Sequence, residues 1–365
     1  MNKLNELAKL GQSVWLDYIS RKLITSGELK SRITNGLRGM TSNPTIFEKA
    51  IAGSCDYDND IKELVKNKLT IEEIYERIVM KDISLAADEM KSVYDSSNGL
   101  DGYVSLEVNP LLANKTEETI EQALRLFKEL NRKNIMIKIP GTEEGLPAVT
   151  EVLANGVNVN VTLIFSIDNY KKVADAFIKG LEKFDSAGGD VSKLASVASF
   201  FVSRVDTAVD KELESKGNKD LLGKIAVANS KYAFEVSKEI YSTERWKKLA
   251  AKGARVQRLL WASTGTKNPA YSDVLYVEEL IGSDTVNTLP PSTLDAFLDH
   301  GKLKSTLSEG IPEAKAQLRK LNSLGVDINQ ITDKLQIDGV KSFSDSFTSL
   351  MKSLKDKSEK IKAGL

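Results

Sequence analysis

One histidine and one cysteine stand among 365 residues, and that scarcity removes several kinds of chemistry before any motif is sought. A single thiol, Cys55, cannot close an internal disulfide or build a thiolate metal cluster, and within GSCDYDND it occupies a polar, loop-like stretch. His300, in LDAFLDHGK, falls at the apparent end of a helix, where a cap or an exposed ring suits it better than the role of a base. Ser-His-Asp and Cys-His catalysis and histidine-rich metal sites are therefore disfavoured. Net charge is missing too, because 51 basic residues balance 51 acidic ones. No global field is available to hold a nucleic acid or an anionic membrane, so any bound anion must be gripped locally.

Long apolar runs are also lacking. Lys3, Glu6 and Lys9 interrupt the amino-terminal segment and deny it a signal-peptide core, and no uninterrupted apolar stretch is long enough to span a bilayer. A cytoplasmic address is the expectation. No repeat, low-complexity tract or linker divides the chain, so a single domain over residues 1–365 is expected. Two motif fragments fail on their own chemistry. The acidic run at 56–60 starts like a calcium loop, but Ile61 replaces the required glycine and Asn67 the terminal glutamate, which leaves a solvated loop as the expectation. Residues 217–224 resemble a P-loop with one residue too many and Ile225 in place of Ser or Thr.

What is present is alternation of helices and strands. Thr70 and Glu73 form a capping box that opens a helical run through Ile71, Ile74, Ile78, Ala86, Met90 and Val93. Ile120, Ala123, Leu124, Phe127 and Leu130 make a second stripe, and Ser166 precedes a third at Tyr170, Val173, Phe177 and Leu181. Eight strands are expected, at 13–17, 39–43, 103–108, 134–140, 157–165, 196–203, 256–263 and 285–290. Strands alternating with helices imply a parallel sheet, and eight units imply a closed (β/α)8 barrel of the TIM type. Such barrels take about 250 residues, so terminal and inserted helices are expected as well, including carboxy-terminal ones from about residue 310. A doubly wound open sheet is the alternative, but no GxGxxG turn follows the first strand.

Period-two alternation sorts these strands into faces. In MIKIPGT, Ile135, Ile137 and Ile139 share one phase, while Met136 and Lys138 share the other. Asn158, Asn160 and Thr162 oppose the neighbouring valines, Ser105 and Glu107 oppose Val104, Leu106 and Val108, and Asp17 shares its phase with Trp15. Lys138, Glu107, Asp17, Asn160 and Thr162 thus fall late in their strands on the inward phase, where a parallel barrel gathers its active site. Taken singly, each is a polar strand-end residue, and Lys138 alone could snorkel or pair with an acid. Together they suggest an amine nucleophile, since a desolvated lysine holds its proton less tightly and can attack a carbonyl. Neighbouring carboxylates would move the protons of imine formation and carbon–carbon cleavage.

These residues lie within a pattern that resembles the transaldolase family over nearly the whole chain. MTSNPTI (40–46) is similar to its amino-terminal signature, MIKIPGT with GVNVNVTLIFS (156–166) to its Schiff-base segment, and SFFVSR (199–204) to its Ser-x-Phe-Val-x-Arg. The resemblance implies a (β/α)8 barrel that transfers a dihydroxyacetone unit between sugar phosphates with no metal or organic cofactor. It implies that Lys138 attacks the C2 carbonyl of sedoheptulose 7-phosphate or fructose 6-phosphate and that Asp17 takes the C4 hydroxyl proton. Glu107 would shuttle protons through a water held with Thr162. Thr41, Asn43, Asn160 and Ser199 would bind the retained fragment, Phe201 would line the pocket, and Arg204 would hold phosphate. A second phosphate-binding arginine of the family has no counterpart in WASTGTKN, where Lys267 with Ser263 is the expected substitute or else a solvated loop residue. The implied partners are phosphorylated ketoses and aldoses, with no nucleic acid and no membrane, for a monomer or homodimer. A related lysine-dependent fructose 6-phosphate aldolase and an inactive sugar-phosphate-binding barrel are the alternatives.

Overall fold

The computed structural model describes residues 2–363. Eight strands form a closed, all-parallel barrel in chain order: β1 Gln12–Asp17, β2 Gly39–Thr41, β3 Tyr103–Glu107, β4 Ile135–Pro140, β5 Val159–Ile164, β6 Ser196–Phe201, β7 Arg258–Ala262 and β8 Thr285–Leu289, with β8 returning to β1. All eight expected strands are present, seven trimmed at one or both ends and β1 begun one residue earlier, at Gln12. Every strand is buried along nearly its whole length, as a sheet covered outside by helices and filled inside by side chains must be. The fold is a (β/α)8 barrel with additional helices.

Alternation does the sorting expected of it. Ile135, Ile137 and Ile139 are fully buried on the phase opposite Lys138, and the register sets Glu107, Lys138 and Asn160 side by side across β3, β4 and β5. The amino-terminal end of the barrel is plugged by a buried ion pair. Arg258 donates to Asp101 at 2.9 Å, to Ser13 at 2.8 Å and to the Leu100 carbonyl at 2.6 Å. Trp15 fills the layer above, and its indole lies where a Cβ on Gly39 would be, 2.5 Å away, so only glycine fits at the start of β2.

The helices follow local rules with two departures. Thr70 and Glu73 make both hydrogen bonds of the capping box at the start of Ile71–Ser96, and Ser166 caps Ile167–Ser186 while Tyr170, Val173, Phe177 and Leu181 are buried beneath it. In Thr116–Leu130, however, Leu126 is buried and Ile120, Leu124 and Phe127 are only partly covered, so the buried stripe is rotated from the expected one. The acidic run at 56–60 is not a solvated loop: Asp58 and Asp60 open the helix Asp58–Lys66, where carboxylates favour the positive end of the helix, and Asp60 pairs with Arg21 and Lys81. Cys55 is exposed, and His300 ends the helix Pro291–His300 against Asp273 and Asp299.

The carboxy-terminal helix Ile328–Ala363 crosses the mouth of the barrel. Gln336 donates to the carbonyls of Gly141 and Leu163 at 3.1 and 3.0 Å, just beyond β4 and within β5. Leu163 takes a left-handed φ of 60° at a register shift in β5. A Cβ on Gly339 would come within 2.9 Å of the Leu163 side chain, so the helix rides close to the strand there. No helix among the described residues is long and apolar enough to cross a membrane.

Candidate active site

At the carboxy-terminal ends of the strands lies a cavity of about 260 Å³. Asp17, Thr41, Lys138, Thr162, Ser199, Phe201 and Ala262 reach it from the barrel, Asn43 and Lys49 from the β2 side, and Arg204, Ser263 and Lys267 from beyond β6 and β7. A larger groove of about 1020 Å³ runs between the helices Gly145–Ala154 and Ile167–Ser186, but it is an open flank crossed by Lys172–Glu143 and Lys183–Glu151 pairs. None of its lining residues carries a buried polar atom without a partner. The mouth does, and that distinction points to the smaller cavity.

Lys138 is 4% exposed, so it does not snorkel. Its Nζ lies 3.2 Å from Glu107 Oε2 and donates to the Ser42 carbonyl at 3.2 Å, while the Phe343 ring centroid stands 5.5 Å away. Beyond this ion pair, neither Glu107 oxygen has a hydrogen-bond partner, and Thr162 Oγ1, fully buried, has none either. These are atoms with unspent hydrogen-bonding capacity in a site where an unmade bond is costly, which fits groups that engage a reactant or water during turnover. Burial pushes the Glu107 carboxyl above the usual carboxylate range and the nearby Asp17 charge adds to the rise, while Lys138 opposes it. The Asp17 carboxyl is likewise raised by burial, against the pull of Lys138, a Thr41 hydrogen bond and Arg204.

A second set of contacts fixes the walls. Thr41 Oγ1 donates to Asp17 at 2.7 Å and meets Thr288 Oγ1 at 2.6 Å, so Thr41 orients the acid as well as lining the cavity. Ser199 donates to Asn160 Oδ1 at 2.7 Å, and Asn160 Nδ2 donates to Ser105 at 3.1 Å, which locks the amide in one orientation across β3, β5 and β6. Asn43 caps the helix Pro44–Ala52 through its Oδ1, leaving its amide nitrogen for the cavity. Arg204 Cζ lies 5.4 Å from the Phe201 ring, and burial holds its guanidinium below the usual range. Among the described residues none of Arg204, Lys267 and Lys49, which all line the cavity, has a carboxylate within 4.0 Å; Arg204 is half-buried and the two lysines are exposed. Three unneutralised cations at one cavity suit an anion such as phosphate.

All twelve expected residues come to this mouth or to the layer beneath it. Glu107 meets Lys138 there and also borders a second cavity between the helices Ile71–Ser96 and Thr116–Leu130. Phe343, Thr288, Pro290 and Lys49 were not anticipated. Thr288 could have been found by the same alternation that found Asp17, since it falls late in β8 opposite the fully buried Leu289; Phe343 belongs to a helix whose periodicity says nothing about where it docks. No group of His, Cys, Asp and Glu among the described residues could hold a metal ion.

Residues 14–354 match the family described as Transaldolase/Fructose-6-phosphate aldolase. The chain is 49% identical to a protein named Transaldolase from Trichodesmium erythraeum, over 99% of this chain and 98% of the relative. It is 49% identical to Transaldolase 2 of a Nostoc species, over 98% of each, and 44% identical to a Transaldolase of Saccharopolyspora erythraea, over 99% of each.

Proposed function

We propose that this chain, which belongs to the transaldolase/fructose-6-phosphate aldolase family, is a transaldolase that moves a dihydroxyacetone unit between sugar phosphates through a Schiff base on Lys138. The observation that carries the reading is the buried Lys138–Glu107 pair at 3.2 Å, in a cavity that Lys138 shares with Asp17 and the unpaired cations Arg204, Lys267 and Lys49. Glu107 is the nearest acceptor for the lysine proton, and the neutral amine attacks the ketose C2 carbonyl. The carbinolamine then loses its hydroxyl as water, with the proton returned from Glu107 through a water that Thr162 helps hold. Asp17 takes the proton from the C4 hydroxyl, the C3–C4 bond breaks, and the aldose phosphate departs as an aldehyde. Its electron pair stays on the enzyme-bound fragment as an enamine, which attacks the next aldehyde as Asp17 returns the proton. Hydrolysis of the imine then regenerates Lys138.

Asn160, Ser199, Asn43 and Thr41 hold the hydroxyls of the retained fragment, and Phe201 packs beside it. Arg204 and Lys267, with Ser263, take the phosphate. The proposal also takes the 365 residues as one domain working in the cytoplasm, in the pentose phosphate pathway, without a metal or organic cofactor. Fructose 6-phosphate with erythrose 4-phosphate should give sedoheptulose 7-phosphate and glyceraldehyde 3-phosphate, whereas fructose 6-phosphate alone should release dihydroxyacetone far more slowly. Release that is fast and indifferent to acceptor would identify an aldolase instead.

A further inference from the structure

Lys267 is an exposed residue in the segment that follows β7, and a free lysine on a free loop makes a poor anion site because binding must first order both. This segment is not free. Ser263 takes a left-handed φ of 56°, its carbonyl accepts from the Ser203 amide at 3.0 Å and its hydroxyl meets that of Ser203 at 3.0 Å. Beyond Lys267 the chain closes on itself: Thr266 Oγ1 donates to the Ser272 carbonyl at 2.8 Å, and the Tyr271 amide donates to the Asn268 carbonyl at 3.1 Å. The turn is then tied from outside, for Tyr271 Oη donates to Asp210 Oδ2 at 2.8 Å while Asp210 Oδ1 accepts the Gly223 amide at 3.0 Å. The Tyr271 ring lies flush against Gly223, where a Cβ would stand 2.8 Å from it.

Asp210 belongs to the helix Ser203–Ser215, the same helix that carries Arg204. The two positions are six residues apart, about 9 Å along the axis, so one rigid element bears one cation of the mouth and the anchor for the loop bearing the other. Tyr276 and Asp206 repeat the arrangement at 2.9 Å one helical turn nearer Arg204, which shows how the segment after the turn is held and leaves the Tyr271 contact as the one beside Lys267. We propose that Tyr271 and Asp210 are positioning residues, fixing the Lys267 turn to the Arg204 helix so that the two cations meet one phosphate without prior ordering. This rests on the reading of Lys267 as a phosphate ligand.

The test is a double-mutant cycle on KM and kcat for fructose 6-phosphate and erythrose 4-phosphate with Lys267→Ala and Tyr271→Phe. Lys267→Ala should raise KM roughly tenfold or more, the loss of one charge-assisted contact. Tyr271→Phe should raise KM about threefold to tenfold, by a larger factor than it lowers kcat, and should add nothing in the Lys267→Ala background. Asp210→Ala should repeat the KM rise, and Asp210→Asn, whose amide can still meet the phenol, should reverse most of it. A lowered melting temperature with KM unchanged in Tyr271→Phe, or effects that multiply in the double variant, would overturn the inference while leaving Lys267 as a phosphate ligand. If Lys267→Ala leaves KM unchanged, both that ligand assignment and the inference fall. Failure of the transaldolase reading would show separately, as substrate that is not trapped on Lys138 in the unaltered protein.

Discussion

An ammonium enclosed in a barrel is tolerated only with compensation, and Lys138 has two partners: a carboxylate at 3.2 Å and a carbonyl at 3.2 Å. The same low-dielectric setting that makes the pair costly also strengthens the attraction between its two members. In the proposed reaction Asp17 accepts a proton, so it must be ionised, and burial works against that. The Thr41 hydrogen bond, 2.7 Å long, favours the ionised form and lowers the carboxyl back toward its ordinary range. Because the Asp17 pKa is raised, activity is lost as pH falls through it, and removing Thr41's hydroxyl raises it further. Thr41→Val should move the acidic limb of the pH–kcat profile to higher pH by about one unit, the worth of a hydrogen bond to a charged group. A limb that stays in place would show that another group sets it. These inward polar residues were legible in the sequence because strand alternation assigns a face to each. Their partners were not: Thr41 as the orienter of Asp17 depends on β1 and β2 lying side by side in register.

At the scale of elements, the least legible feature is the lid. The helix Ile328–Ala363 spans 36 residues, and amphipathic spacing identifies such a helix without saying which end of a barrel it covers. Gln336 answers that in the structure by filling carbonyl positions that the shifted end of β5 leaves open, and Phe343, 4% exposed, then lies over Lys138. A carbanion-like intermediate survives only where stray water and acid are kept away. Phe343→Ala should therefore raise free dihydroxyacetone release relative to transfer by several-fold, at a stability loss of about 3 kcal/mol. Phe343→Leu, which keeps most of the apolar volume, should fall between the two. An unchanged ratio of release to transfer in a folded Phe343→Ala protein would contradict the role given to this helix. The acidic run at 56–60 lacks the residues of a calcium loop, and its composition alone suggests a solvated loop. Carboxylates at a helix start and partners as distant as Arg21 and Lys81 made it structural.

For the molecule as a whole, closure of eight parallel strands is what turns scattered residues into a site. Asp17, Glu107, Lys138 and Thr162 span nearly 150 positions of sequence yet come to one mouth because each falls at the same end of its strand. A chain poor in histidine and cysteine can still run acid–base and nucleophilic chemistry this way, with a buried lysine beside carboxylates that burial raises above their usual range. The strand count and the alternating faces made the barrel and five of its inward polar residues readable in advance, and the family resemblance supplied the other expected residues of the mouth; the docking of distant helices, which depends on three-dimensional fit, was not readable. The proposed chemistry stands or falls with Lys138 as the site of the covalent intermediate. Incubation with fructose 6-phosphate, reduction with borohydride and peptide mapping by mass spectrometry should place a reduced dihydroxyacetone adduct on Lys138, and Lys138→Ala should abolish it. An adduct on another lysine, or none during steady turnover, would contradict the account.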